Sequence, residues 1–132
     1  MGGSCINYGC TPTKTLVASA RAIHMAKRGK EFGFNAGPVE LDYSLIKERM
    51  NQIRNRSRQG LRDWMESKTN VTLFTEWASF EDSHTLKVGN QRIIGKQIYI
   101  NTGTRPLAPP IEGLEKVPWM DSAGLLDLEK LP

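Results

Sequence analysis

Gly2-Gly3-Ser4-Cys5-Ile6-Asn7-Tyr8-Gly9-Cys10-Thr11-Pro12-Thr13-Lys14 opens the chain and holds both of its cysteines. On a regular α-helix, residues five apart point in different directions, with Cα atoms roughly 8–9 Å apart. A disulfide needs Cα atoms within about 7 Å. A bonded Cys5–Cys10 pair therefore requires a distorted turn, which Gly9 makes cheap. Pro12 suits the first position of a helix, with Thr11 as its N-cap. On that reading Cys10 sits just ahead of a helix N-terminus, with Lys14 one turn on. The helix dipole and the cation both favour thiolate over thiol at Cys10. Two thiols that open and close are the first expectation; a buried pair brought close by packing is the plainer alternative.

Composition bounds the rest. The chain has 132 residues, 39% hydrophobic and 24% charged, which is one soluble globular domain's worth or a piece of a larger protein. No apolar run approaches membrane-spanning length, and glycines, not a basic and then apolar stretch, follow Met1. A cytoplasmic protein is expected, and there a close cysteine pair is more often redox-active than structural. Metal binding is poorly supported, because there is no second cysteine pair and His24 and His84 stand alone. The net charge of +4 owes much to Arg49, Arg54, Arg56, Arg58 and Arg62. These read as the solvated face of an amphipathic helix, not a nucleic-acid stripe, since no aromatic residues interleave with them.

Along the chain, small residues (Ala18, Ser19, Ala20, Ala22, Ala26) fill a helix running to about Lys30. Small side chains let a helix lie close to another backbone or to a flat ligand. Gly29 or Gly33 ends it, and two glycines with Pro38 make a loop to Leu41. Asp42 caps a second helix to about Lys68, with an apolar stripe of Ile46, Met50, Ile53, Leu61 and Trp64. Val71–Thr75 is rich in β-formers. Thr85–Val88, Gly89-Asn90 and Gln91–Ile94 spell a hairpin with a two-residue type II′ turn. Lys96–Asn101 reads as a further strand. The proline-bearing tail is irregular, with a short helical turn near Ser122–Leu126.

The opening stretch resembles the redox motif of the flavin-dependent pyridine nucleotide-disulfide oxidoreductases, the family of glutathione reductase, dihydrolipoamide dehydrogenase and mercuric reductase. The flanking Gly-Gly, Asn7, Gly9, Pro12 and Lys14 make the likeness specific. Thr11–Ala20 is most similar to the mercuric-reductase-like subgroup. Ile98–Pro106 resembles the family's second flavin motif, with Asn101 where alanine is usual. Pro109–Gly113 resembles the stretch that follows it, with Glu112 in place of a common proline. Trp77-Ala78-Ser79-Phe80 resembles the segment that meets the adenine in relatives, with Glu76 where glycine is frequent. Ser122–Pro132 resembles the linker before the nicotinamide domain.

The resemblance implies an α/β fold, α+β within this stretch: two long helices and an antiparallel meander from a Rossmann-like FAD-binding domain. It divides the chain into a redox helix over about 3–30, a second helix over about 42–68, a meander over about 71–101 and a linker over about 102–132. It implies FAD as cofactor and NAD(P)H as co-substrate. Cys5 is then the interchange thiol, Cys10 the thiolate against the flavin, and Lys14 a tuning cation beside it. Gly3, Ser4, Cys10, Lys14, Trp77, Ala78, Thr102 and Gly103 are the implied cofactor contacts. A small disulfide or a metal ion is the implied substrate, and a homodimer the implied assembly.

No G-x-G-x-x-G occurs in the chain. The expectation is an internal part of an FAD domain, without its first βαβ unit, its nicotinamide domain or the dimerisation domain that brings the catalytic histidine. Such a part alone is expected to be inactive, to hold neither FAD nor NAD(P)H tightly and to self-associate through uncovered apolar surface. A free-standing thiol switch or metal module, and a basic interaction module, are the alternatives from other classes.

Overall fold

The cysteine stretch is not one helix. In the computed structural model, which describes residues 1–131, α1 (Gly3–Asn7) and α2 (Cys10–Lys27) are separated by Tyr8 and Gly9. Pro132, the last residue of the expected linker, lies outside the described residues. The second helix begins at Cys10, not at Pro12, and Gly9 replaces Thr11 as the residue before it. Pro12 is third in the helix, where its missing N–H costs nothing because the first four N–H groups have no intrahelical partner. A 3-10 turn (Gly29–Phe32) follows α2, and Gly33 closes it at φ 82°.

The helix α3 (Tyr43–Glu66) begins after Asp42, whose carboxylate accepts from the Leu45 N–H at 3.1 Å. A last short helix, α4 (Ser122–Asp127), has Asp121 as its cap, accepting from the Gly124 N–H at 2.8 Å. The chain divides into two units, Met1–Leu61 with Thr104–Pro132, and Arg62–Gly103.

In the first unit, the fully buried side chains are Met50, Leu126 and Pro12, with Thr15 also buried. Thr15 resolves its hydroxyl by donating to the Thr11 carbonyl at 2.8 Å. The arginines expected on a solvated face divide. Arg56, Arg58 and Arg62 are exposed. Arg49 is exposed as well, though it donates to the Thr15 carbonyl at 3.2 Å, whereas Arg54 is half-buried and donates to the Asn7 carbonyl at 3.4 Å. Lys47 reaches the end of α4, donating to the Leu128 carbonyl at 2.6 Å.

The second unit carries an antiparallel sheet in the order β1 (Ala78–Phe80), β2 (Thr85–Val88), β3 (Gln91–Ile94). Val88 pairs with Gln91 across Gly89-Asn90. Gly89 has φ 56° while Asn90 does not have a positive φ, so the turn is type II′ and not I′. Asp82 anchors the preceding bend, its carboxylate accepting from the N–H groups of His84 and Thr85, both at 2.8 Å. These bonds hold that carboxyl below its ordinary range, the His84 N–H foremost.

Two expected strands differ. Val71–Thr75 and Lys96–Asn101 contain no strand. Both have β-forming side chains, but among the described residues neither finds a ladder partner, and a strand exists only through its pairing. Ile100 is accordingly 71% exposed. Among the described residues, no helix is long and apolar enough to cross a membrane.

Candidate active site

The short α1 forms because Gly2, at φ 100°, turns the chain into it. Asn7 then ties it down, its side-chain amide donating to the Met1 carbonyl at 3.1 Å and the Gly3 carbonyl at 2.8 Å. The Tyr8 N–H closes α1 on the Ser4 carbonyl at 2.8 Å. Gly9 is required by close approach: a Cβ there would lie 3.1 Å from the Ser4 carbonyl oxygen and 3.4 Å from Cys5 Cα. Its carbonyl receives both the N–H and the hydroxyl of Thr13, at 3.1 and 2.7 Å. The two-residue break thus folds the end of α1 back onto the first turn of α2.

That fold brings the two cysteines together. Both are free thiols and both are exposed. A hydrogen bond with the Cys10 side chain pushes the Cys5 thiol above its ordinary range, with desolvation and Cys10 charge adding to it. A backbone hydrogen bond from Cys10 and the positive charge of Lys14 act the other way. Cys10, as the first residue of α2, meets the unpaired N–H groups of an 18-residue helix. Lys14 is exposed one turn further and shares a shallow groove on α2 with Val17, Ala18 and Arg21.

The pH dependence of alkylation reads this arrangement. The folded Cys5 pKa is raised, so its reaction with iodoacetamide in the reduced protein rises at higher pH than that of an ordinary thiol. Lys14→Met removes a lowering charge, so the Cys5 profile moves higher still. Peptide-resolved alkylation across a pH series measures both; a Cys5 profile unmoved by Lys14→Met contradicts the electrostatic role of Lys14.

The remaining expected contacts fall in both units. Gly3, at φ 57°, has nothing within 4 Å of the position a Cβ would take, and Ser4 follows it. Ser4 lines a cleft of about 380 Å³ with Tyr8, Thr104, Arg105, Pro106, Ser122 and Ala123. The hydroxyls of this cleft and the Arg105 side chain suit the polar and anionic portions of a dinucleotide. Tyr8, Thr104, Arg105 and Ser122 were not among the expected contacts. The signal for Thr104 and Arg105 lay in the Ile98–Pro106 stretch itself; Tyr8 and Ser122 carried none.

In the second unit, Ala78 and Thr102 line a groove of about 200 Å³ with Phe80, Leu86 and Ile98 among its other walls. Trp77 is 94% exposed, so its indole has no packing partner. Gly103 has φ 77° and open space about its Cα. Among the described residues, no group of three or more His, Cys, Asp or Glu is arranged to hold a metal ion.

Comparison with known proteins agrees with this geometry. The family model described as pyridine nucleotide-disulphide oxidoreductase matches residues 1–132. A mercuric reductase of Lysinibacillus sphaericus is 35% identical over 100% of this chain and 24% of its own length. A probable pyridine nucleotide-disulfide oxidoreductase, RclA of Escherichia coli, is 37% identical over 99% of this chain and 27% of its own length. A dihydrolipoyl dehydrogenase of Acholeplasma laidlawii is 28% identical over 100% of this chain and 40% of its length. The solved structure of the HOCl-induced flavoprotein disulfide reductase RclA from Escherichia coli aligns with TM-score 0.70 at 35% identity, over 99% of this chain and 27% of that one. A copper(II) complex of a cysteine-to-serine variant of that reductase aligns with TM-score 0.73 at 34% identity, over 100% of this chain and 27% of that one. The helices and three-stranded sheet are therefore the α/β mixture of part of a flavoprotein disulfide reductase, and the chain spans between about a quarter and two fifths of these relatives. With the family model matched from the first residue to the last, the chain belongs to the pyridine nucleotide-disulphide oxidoreductase family.

Proposed function

We propose that this segment carries the dithiol centre of an FAD-dependent, NAD(P)H-linked oxidoreductase acting on a small disulfide or a thiophilic metal ion. The fold-back of α1 at Gly9, which sets Cys5 close beside the helix start that carries Cys10, is the observation that carries the reading. Bound FAD supplies the two-electron relay between nicotinamide and sulfur. Gly3, Ser4, Cys10, Lys14, Trp77, Ala78, Thr102 and Gly103 are the residues the family likeness assigns to its binding, and the cleft beside Ser4 adds Thr104 and Arg105.

The chemistry of the chain's own residues balances. Two electrons and two protons open the Cys5–Cys10 disulfide to two thiols. The Cys5 thiolate attacks a substrate disulfide sulfur, forming a mixed disulfide on Cys5 and releasing one thiol. Cys10, at the helix start, attacks the Cys5 sulfur, expels the second thiol and restores the internal disulfide. The raised Cys5 thiol must lose a proton before each attack, which calls for a base beyond this pair. We assign that base to another part of a cytoplasmic homodimer and not to His24 or His84.

Anaerobic titration of the full-length flavoprotein with NAD(P)H tests the reading. Uptake of two electrons beyond those that bleach the flavin is expected, with Cys5 and Cys10 appearing as free thiols. Bleaching with no thiol gain contradicts it.

A further inference from the structure

We propose that Arg54 of α3 is a positioning residue for the cysteine pair, holding the loop between the two thiols at the spacing that lets them bond. The proposal rests on the redox reading of Cys5 and Cys10. Arg54 is half-buried, unlike its neighbours Asn55 and Arg56, which are exposed. One arm of its guanidinium donates to the Asn7 carbonyl at 3.4 Å, and the other to the Asn51 side-chain oxygen at 2.8 Å. Its Nε–H is enclosed and has no partner. A guanidinium brought this far from solvent with one donor unmet is costly, so its place calls for an explanation.

Asn7 supplies one. It lies between Cys5 and Cys10, and its side chain already fixes α1 through the Met1 and Gly3 carbonyls. Its main-chain carbonyl is the point where α3 grips the break between α1 and α2. Arg49 makes a second grip from α3, on the Thr15 carbonyl of α2 at 3.2 Å. The loop is thereby referenced to α3 on one side and to α2 through Gly9 and Thr13 on the other. Loosening the first grip leaves the thiols intact but lets Cys5 wander relative to Cys10. The equilibrium for closing the disulfide rises with the time the two sulfurs spend in register, so loosening the loop lowers it.

Equilibration of the full chain with glutathione and glutathione disulfide measures this directly. In the exchange, one glutathione disulfide oxidises the two thiols, giving the Cys5–Cys10 disulfide and two glutathiones. After acid quench and alkylation, mass spectrometry gives the fraction closed at each poise. Arg54→Met is expected to lower the closing equilibrium about tenfold, which for a two-electron couple is about 30 mV. Arg54→Lys, which keeps the charge and one donor, is expected to recover most of that. Arg56→Met, on the same helix, is expected to match the unaltered protein. Asn51→Ala keeps Arg54 and frees only its second arm, so it serves where Arg54→Met loses helix content by circular dichroism. It is expected to shift the equilibrium about threefold in the same direction. If Arg54→Met and Asn51→Ala both close at the same poise as the unaltered protein, the positioning role is wrong. If the unaltered protein itself never closes the pair, the redox reading fails instead.

Discussion

Cys5→Ser in the full-length flavoprotein abolishes disulfide turnover, a loss on the order of 10⁴-fold or more, yet keeps a long-wavelength charge-transfer band. Cys10→Ser abolishes both. The asymmetry follows from position. Cys10 is the first residue of an 18-residue helix, where unpaired N–H groups stabilise a thiolate. Without Cys5 it has no partner with which to close an internal disulfide. Cys5 lies on a five-residue helix, is exposed, and holds its proton through its bond with Cys10. It is the thiol suited to meet substrate from outside. Absorbance spectra of the two reduced variants and their turnover with a small disulfide check this. A band retained by Cys10→Ser and missing from Cys5→Ser reverses the assignment.

The second large effect is on stability. Met50→Ala is expected to destabilise the first unit by about 2–5 kcal/mol, the usual range for emptying a buried methionine site. Met50 is 1% exposed, and with Leu126 and Pro12 it is among the largest fully buried side chains of the described residues. Domain stabilities are about 5–15 kcal/mol, so the loss is a large share of the whole. Met50→Leu keeps the volume and is expected to cost under about 1.5 kcal/mol. Urea unfolding followed by circular dichroism distinguishes the two; equal midpoints for both variants contradict the assignment of Met50 to the core.

What the sequence made legible was local, and what it hid was tertiary. Gly89-Asn90 announced a type II′ hairpin because the turn type depends on residues within the turn itself. The stripe of Ile46, Met50 and Ile53 announced a helix because its period is carried on one segment. Pro12 misdirected the helix start: a proline is tolerated throughout the first turn, so it marks a neighbourhood and not a boundary. The break at Tyr8–Gly9 needed knowledge that a Cβ on Gly9 would press on the Ser4 carbonyl, a contact between two short segments.

Val71–Thr75 and Lys96–Asn101 carried strand composition, but pairing is decided by partners distant in sequence. Arg54 was hidden for the same reason. Its charge argued for solvent, and only the packing of α3 turned it toward Asn7. Of the candidate site, Cys5, Cys10 and Lys14 were readable from spacing and flanking residues. Tyr8 and Ser122 entered only when folding closed a cleft around Ser4.

The central claim is that Cys5 and Cys10 are a reversible internal disulfide. Intact mass and peptide mapping of the protein, taken first under glutathione disulfide and then after reduction, test it most directly. The account predicts a loss of two hydrogens on oxidation, one cross-linked peptide joining Cys5 to Cys10 within a single chain, and full recovery of both thiols on reduction. Two thiols that stay free at every oxidising poise, or that link only between separate chains, would contradict it.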